Sequence, residues 1–209
     1  SYTFSDVQAN HTIAASFAIN TYTLTASAVG HGTITPDGAT TLNCGSSQTY
    51  TITPDACYHV ADVLVDGISV GAVTTYTFSS VSANHTIEAS FAINTYTITA
   101  TANPNGSITP SGAVGVNCGS DQAFTITPAA CYHVADVLVD GASVGAVGSY
   151  TFNDVQADHT IEASFAINVY TITATANPNG SISPSGAVSV NCGSDQAFTI
   201  TPAACYHIA

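Results

Sequence analysis

The chain has 209 residues, 13 of them acidic and none of them lysine or arginine, for a formal charge of −13 at neutral pH. That composition excludes every function needing a fixed cationic side chain: nucleic-acid binding by counterion release, P-loop phosphate capture, arginine fingers, Schiff-base chemistry, polybasic membrane docking and Lys–Asn isopeptide staples. With 45% hydrophobic and only 6% charged residues the chain is expected to fold, its surface covered by Thr, Ser, Asn and Gly. No apolar run approaches the ~18 residues of a membrane helix, so no membrane insertion is expected. The chain opens Ser1-Tyr2-Thr3, without initiator Met or signal peptide, and reads as a mature or excised segment.

In chain order, the first recognisable pieces are Tyr2-Thr-Phe and His11-Thr-Ile, and both recur. Tyr2, Tyr76 and Tyr150 are spaced at a constant step of 74, as are His11, His85 and His159, Cys44, Cys118 and Cys192, and Cys57, Cys131 and Cys205. Internal repetition at a fixed step is the strongest architectural signal a sequence carries. Residues 1–18 read as the C-terminal strands of a preceding repeat, 19–92 and 93–166 as complete repeats, and 167–209 as the N-terminal part of a following one. The 209 residues fall 13 short of three full repeats. The missing 13 match Asp62 to Thr74, which contains most of a strand, so a window in a continuous array is expected rather than a head-to-tail polymer of this chain.

Within a repeat the periodicity is two. Tyr22-Thr-Leu-Thr-Ala-Ser, Gln48-Thr-Tyr-Thr-Ile-Thr, Tyr76-Thr-Phe and His85-Thr-Ile-Glu-Ala-Ser-Phe alternate apolar and polar residues, the signature of half-buried strands. Asn103-Pro-Asn-Gly, Pro110-Ser-Gly and Asp140-Gly punctuate them. Six strands per repeat are predicted, near 21–29, 32–35, 48–53, 58–70, 75–79 and 85–92, with no helix. The fold class is therefore all-β: a tandem array of small antiparallel β-sandwich or twisted-sheet domains, one face core and the other a Thr/Ser carpet. Only Ile93-Asn94 separates one repeat's last strand from the next one's first. So short a linker predicts a stiff rod, each repeat advancing roughly 30–35 Å.

Tyr96-Thr-Ile-Thr-Ala, Gly-Ser-Ile-Thr-Pro-Ser-Gly, Phe-Thr-Ile-Thr-Pro, Tyr-His-Val-Ala-Asp-Val-Leu-Val-Asp-Gly and His-Thr-Ile-Glu-Ala-Ser-Phe-Ala together resemble the divergent internalin-type B repeat, which is common in tandem in large secreted and surface proteins. The resemblance covers the whole chain. It implies an extracellular location, a small β-rich domain, and an adhesive or structural role without catalysis. The usual pattern has Gly before Tyr-His-Val, where this chain has Cys57, Cys131 and Cys205; Cys44, Cys118 and Cys192 also look like additions.

Six cysteines, two per repeat, read as disulfides in an extracellular chain. Cys44 precedes the strand at 48–53 and Cys57 follows it, so a straight strand would hold them roughly 25–30 Å apart, beyond the ~7 Å a disulfide tolerates. Inter-repeat pairs Cys57–Cys118 and Cys131–Cys192 are favoured over intra-repeat Cys44–Cys57 and Cys118–Cys131, leaving Cys44 and Cys205 for repeats beyond. Zinc would need a four-ligand set and c-type haem a CxxCH motif, and neither occurs; no cofactor is expected.

Ser, His and Asp are all present, but they recur in every repeat, whereas a catalytic site is built once; no catalytic residue is assigned. The histidines read as turn and surface residues. They are also the only side chains able to become cationic, and protonating all seven would move the charge from −13 to −6, which could tighten the packing of acidic rods. Asp62, Asp66, Asp136 and Asp140 are weak calcium candidates: the spacing is no EF-hand loop, and Asp62 and Asp66 on one strand would lie about 13 Å apart. Asp66-Gly67 reads more simply as a hairpin turn. Asn10, Asn84, Asn105 and Asn179 occupy glycosylation sequons, although the third copy of the first motif has Asp158 in place of Asn.

The expected function is a non-enzymatic, extracellular or cell-surface structural repeat protein forming a stiff, disulfide-reinforced fibre, stalk or sheath, with self-association into fibres or bundles. The alternative is a spacer or binding repeat of a large adhesin with a glycan or other cell-surface ligand; a groove lined by Tyr58 and Tyr132 would favour it. No nucleic-acid partner is expected.

Overall fold

Alternating threonines and apolar residues produce strands throughout the computed structural model, which describes residues 1–209. The chain divides into two units, Ser1–Ile93 and Asn94–Ala209.

The first unit contains β1 (Thr21–Val29), β2 (Gly32–Thr35), β3 (Gly38–Asn43), β4 (Gln48–Pro54), β5 (Tyr58–Val65), β6 (Ile68–Ser69), β7 (Thr75–Phe78) and β8 (His85–Ile93). They form a five-stranded sheet, order β3-β1-β8-β5-β6, and a three-stranded sheet, order β2-β4-β7. Every pairing is antiparallel except β1 with β8, the first and last strands, which run parallel from Leu24 opposite His85 to Val29 opposite Ser90. Inward residues of both sheets make one core: Leu24, Ala26, Ile87, Ala89 and Val63 from the larger, Ile34, Tyr50, Ile52 and Phe78 from the smaller. The alternate threonines Thr49, Thr51 and Thr53 stay exposed. This is the half-buried pattern that the alternation predicts.

Eight strands form where six are predicted. The additional strand, β3, has Gly38, Thr40 and Leu42 on its half-buried side, a single strongly apolar residue, too faint a pattern to read. The predicted strand 58–70 is a hairpin instead: Asp66 and Gly67 both take positive φ, 50° and 78°, as a tight two-residue turn requires. Within β5 the register slips between Val60 and Asp62. That bulge lets Val60 and Val63, three residues apart, both face the core. Gly32 lies under the ring of Phe91, and a Cβ there would stand 2.5 Å from it.

The second unit repeats the plan with β9 (Thr95–Ala102), β10 (Gly106–Thr109), β11 (Gly112–Asn117), β12 (Gln122–Pro128), β13 (Tyr132–Val139), β14 (Ala142–Gly145), β15 (Ser149–Phe152) and β16 (His159–Ile167). Its sheets are β11-β9-β16-β13-β14 and β10-β12-β15, again with parallel first and last strands. The unit continues into the next repeat through β17 (Val169–Ala174), β18 (Gly180–Ser183), β19 (Gly186–Asn191) and β20 (Thr199–Pro202), which pair as β17-β19 and β18-β20. Residues 167–209 hold only the first strands of that repeat, and Ile172 is 41% exposed where its equivalent Ile98 is fully buried. Residues 1–18, expected to be strands of a preceding repeat, form none. Their equivalents in the second unit, β15 and β16, pair with β12, β9 and β13, strands whose counterparts in a preceding repeat are not among residues 1–209.

The two complete cores differ at one telling position. The Tyr50 hydroxyl is buried with no hydrogen-bond partner, and burial pushes the phenol up; the Thr40 hydroxyl beside it, outside good hydrogen-bond geometry, offsets this only in part. The second repeat has Phe124 at the same place, equally buried. Tyr50→Phe is expected to stabilise the first unit by about 1 kcal/mol, because it removes an unsatisfied polar group. A downward shift of the urea unfolding midpoint would contradict this.

Candidate functional site

The joint between successive repeats lies inside the second unit. β16 ends at Ile167 and β17 begins at Val169, so one residue, Asn168, links them. Its backbone N–H donates to the Cys131 carbonyl (2.8 Å) and its carbonyl accepts from the Cys192 N–H (2.8 Å). Its side-chain Nδ2 makes a long contact to the Tyr132 carbonyl (3.5 Å), and its Oδ1 lies 2.9 Å from His133 Nδ1. With Oδ1 an acceptor, the imidazole supplies the proton at Nδ1. Around this residue Cys131 and Cys192 form a disulfide, Cα atoms 5.3 Å apart and 61 residues apart in sequence. A linker residue with both backbone groups and its side chain engaged leaves the joint little conformational freedom.

Cys131 follows β12 in a turn closed by the Tyr132 N–H on the Ala129 carbonyl and has φ of 70°; Cys57 and Cys205 stand at 67°. That left-handed backbone explains the glycine of the usual family pattern. A cysteine there bears strain of order 1–2 kcal/mol, which a disulfide closing a loop of this length, stabilising by about 4 kcal/mol in the chain-entropy model, outweighs. Cys57 and Cys118 are also disulfide-bonded, whereas Cys44 and Cys205 carry free, exposed thiols. The intra-repeat pairings Cys44–Cys57 and Cys118–Cys131 do not form: the latter two residues flank the seven-residue strand β12, which at about 3.3 Å per residue is over 20 Å long.

Sequence reasoning placed Asn94 in the linker but missed the role of this position. A legible signal existed, since Asn20, Asn94 and Asn168 recur at the step of 74. Asn20 and Asn94 likewise accept the N–H of Cys44 and Cys118 through their carbonyls, at 2.8 and 2.9 Å.

The four calcium candidates are engaged elsewhere. Asp62 Oδ1 accepts from the Val63 N–H (2.8 Å) and the Ser69 hydroxyl (2.7 Å), and Asp136 repeats this with Val137 and Ser143. Asp66 accepts from the Thr86 N–H at Oδ1 (2.8 Å) and from His85 Nδ1 at Oδ2 (2.7 Å); Asp140 does so with Thr160 and His159, each at 2.8 Å. All four carboxylates fasten hairpins, and no three His, Cys, Asp or Glu side chains converge to hold a metal ion. His85 and His159, read as surface residues, also pack on Phe78 and Phe152, ring centres 4.9 Å apart.

Asn84 Oδ1 accepts from the Thr23 N–H and Asp158 Oδ1 from the Thr97 N–H. Only the oxygen is used, so Asn and Asp interchange. Asn10, Asn84, Asn105 and Asn179 are all exposed. The last two sit at positive φ, 76° and 79°. Tyr58 and Tyr132 are half-buried; Tyr58 stacks on His31 at 4.2 Å. A shallow cleft lined by Thr23, Thr25, Asp66, Asn84, His85 and Thr86, about 270 Å³, has its counterpart of about 330 Å³ at the equivalent residues of the second repeat.

Two outcomes follow from these geometries. Asp66 is held below the ordinary carboxyl value by His85 and then by the Thr86 N–H, and Asp140 by the Thr160 N–H and then by His159. A carboxyl lowered in the folded state contributes stability above its unfolded pKa of about 3.9 and loses it as pH falls through the lowered value. Thermal melts between pH 5 and 2 are therefore expected to show an acid loss that the Asp66→Asn/Asp140→Asn double variant flattens. At the joint, Asn168→Ala removes the side-chain contacts and is expected to cost about 1 kcal/mol, seen as faster hydrogen exchange at the Cys192 amide; unchanged protection would deny the side chain a clamping role.

The model of the divergent InlB B-repeat domain matches the chain twice, at residues 22–95 and 96–169. No curated protein matches it. A solved structure, the Bacillus anthracis TIE protein, is similar at 10% identity with a TM-score of 0.38, over 88% of this chain and 44% of that one, a likeness too weak to bear on the fold. With two adjoining copies of the domain and the repeat step, strand order and joint that accompany them, the chain belongs to the divergent InlB B-repeat family.

Proposed function

We propose that this chain is a non-enzymatic, extracellular structural segment whose repeats are locked into a fibre, stalk or sheath. The observation that carries this reading is the joint at Asn168, a one-residue linker held by hydrogen bonds on both sides and closed by the Cys131–Cys192 disulfide. A ligand-binding domain on a flexible tether needs no such joint, whereas a tension-bearing or shape-keeping array does. Disulfides persist in oxidising surroundings, which favours a place outside the cell. The absence of Lys and Arg removes every trypsin site, consistent with durability there. Self-association of arrays through their exposed threonine faces is part of the same proposal.

The twin Thr/Asp clefts favour a second reading, repeats of a surface adhesin that also contact glycans, since hydroxyl-rich clefts recurring at one step suit a repetitive ligand. Immunogold electron microscopy of native material, using antibody against the repeat, separates the readings. Continuous ordered filaments or sheaths bearing regular label are expected. Label on isolated flexible stalks with a distinct head would move the function to the adhesin, and label confined to the cell interior would overturn both.

A further inference from the structure

We infer that the disulfides form a covalent bypass, a second and much shorter load path that keeps most of each repeat out of the line of tension. The inference deepens the structural reading above and rests on it. It comes from two spacings. Cysteines recur at a step of 74, and the Cys131–Cys192 bond spans 61 of those positions. Tension reaching Cys118 therefore passes along 13 residues to Cys131, crosses the sulfur bridge to Cys192, and passes along 13 more to Cys205. Everything from Tyr132 to Asn191 hangs in a loop beside that path.

Cys57 and Cys118 are both disulfide-bonded, hold the positions of Cys131 and Cys192 one repeat earlier, and have the same separation in sequence. Cys205 occupies the position of Cys131, and Cys44 that of Cys192. The two free thiols are thus the places where the bypass continues into further repeats.

The consequence is a limit on extension. At about 3.5 Å per residue, a repeat pulled out along its whole main chain would reach about 260 Å. The bypass offers about 45 Å of chain per repeat on the same measure, plus the 5.3 Å between bridged Cα atoms. Much of that length is already taken up, because the bypass runs through β12, an extended strand. β12 is also the middle strand of its sheet, paired with β10 on one edge and β15 on the other, and it carries the buried Phe124 and Ile126. The loaded segment is therefore the one bonded on both sides, and the other strands can loosen without lengthening the array.

Single-molecule force extension of the full chain, held by handles at its two ends, tests this. Its final contour length is compared before and after TCEP, which takes each disulfide to two thiols as the phosphine becomes its oxide. Reduction is expected to add about 420 Å, two bridges of 61 residues at about 3.5 Å each. A gain of about 135 Å would indicate three intra-repeat bridges of 13 residues, and a gain of about 210 Å a single long bridge; either overturns the bypass, as does no gain at all. Cys131→Ser is expected to release about 210 Å, half of the total, before reduction. Full extension reads covalent connectivity, so the result holds even where that variant folds poorly. A chain that shows the full gain but decorates no filament would retain the bypass and lose the functional reading; filaments built from chains without that gain would do the reverse.

Discussion

The parallel pairing of a repeat's first strand with its last organises the remainder of the molecule. β9 and β16 lie side by side at the centre of the larger sheet and point the same way, so the chain enters a repeat at one pole and leaves at the opposite one. Antiparallel pairing of the same two strands would return the exit beside the entry. Parallel strands cannot be joined by a tight turn and need a long connection. Here that connection is most of the repeat: it builds the second sheet, crosses over the core, and comes back. The core residues therefore come from strands distant in sequence, and the step of 74 is the length of one such circuit.

With entry and exit at opposite poles, the joint becomes the place where one circuit is fixed to the next. Asn168 is well suited to it because an asparagine offers a carbonyl and an amide beyond its own backbone pair, and all four groups find partners. The disulfide lies at the same place for a geometric reason. The turn after β12 needs a left-handed residue, and the turn after β19 brings Cys192 within 5.3 Å of it. Exchanging a strain-free glycine for a strained cysteine is favourable where a partner waits, as Cys192 does for Cys131.

The fold was largely legible in the residues. Strands such as Gln48–Pro54 and His85–Ile93 announce themselves because their buried positions are Tyr, Ile and Ala at alternate places. β3 does not, because a strand at a sheet edge can use Gly and Thr on its half-buried side. The site was legible in part. The Cys131–Cys192 pair was within reach because a straight strand cannot bring its own ends together. The Asp66–His85 and Asp140–His159 pairs were not, since a hairpin turn and a strand far along the chain leave no local pattern. The role of Asn168 was hidden for the same reason, though its recurrence was in view.

By itself the sequence determined the repeat, its β character, its family and the absence of any fixed cation, because these reside in composition and in periods of two and 74. Tertiary structure decided which strands became neighbours: the parallel closure, the bulge at Val60, the His–Asp pairs and the clamp around Asn168. A period of two says which residues face inward but not which strand lies alongside. That choice belongs to the packed core, where long-range contacts compete, and the covalent bridges follow from its outcome.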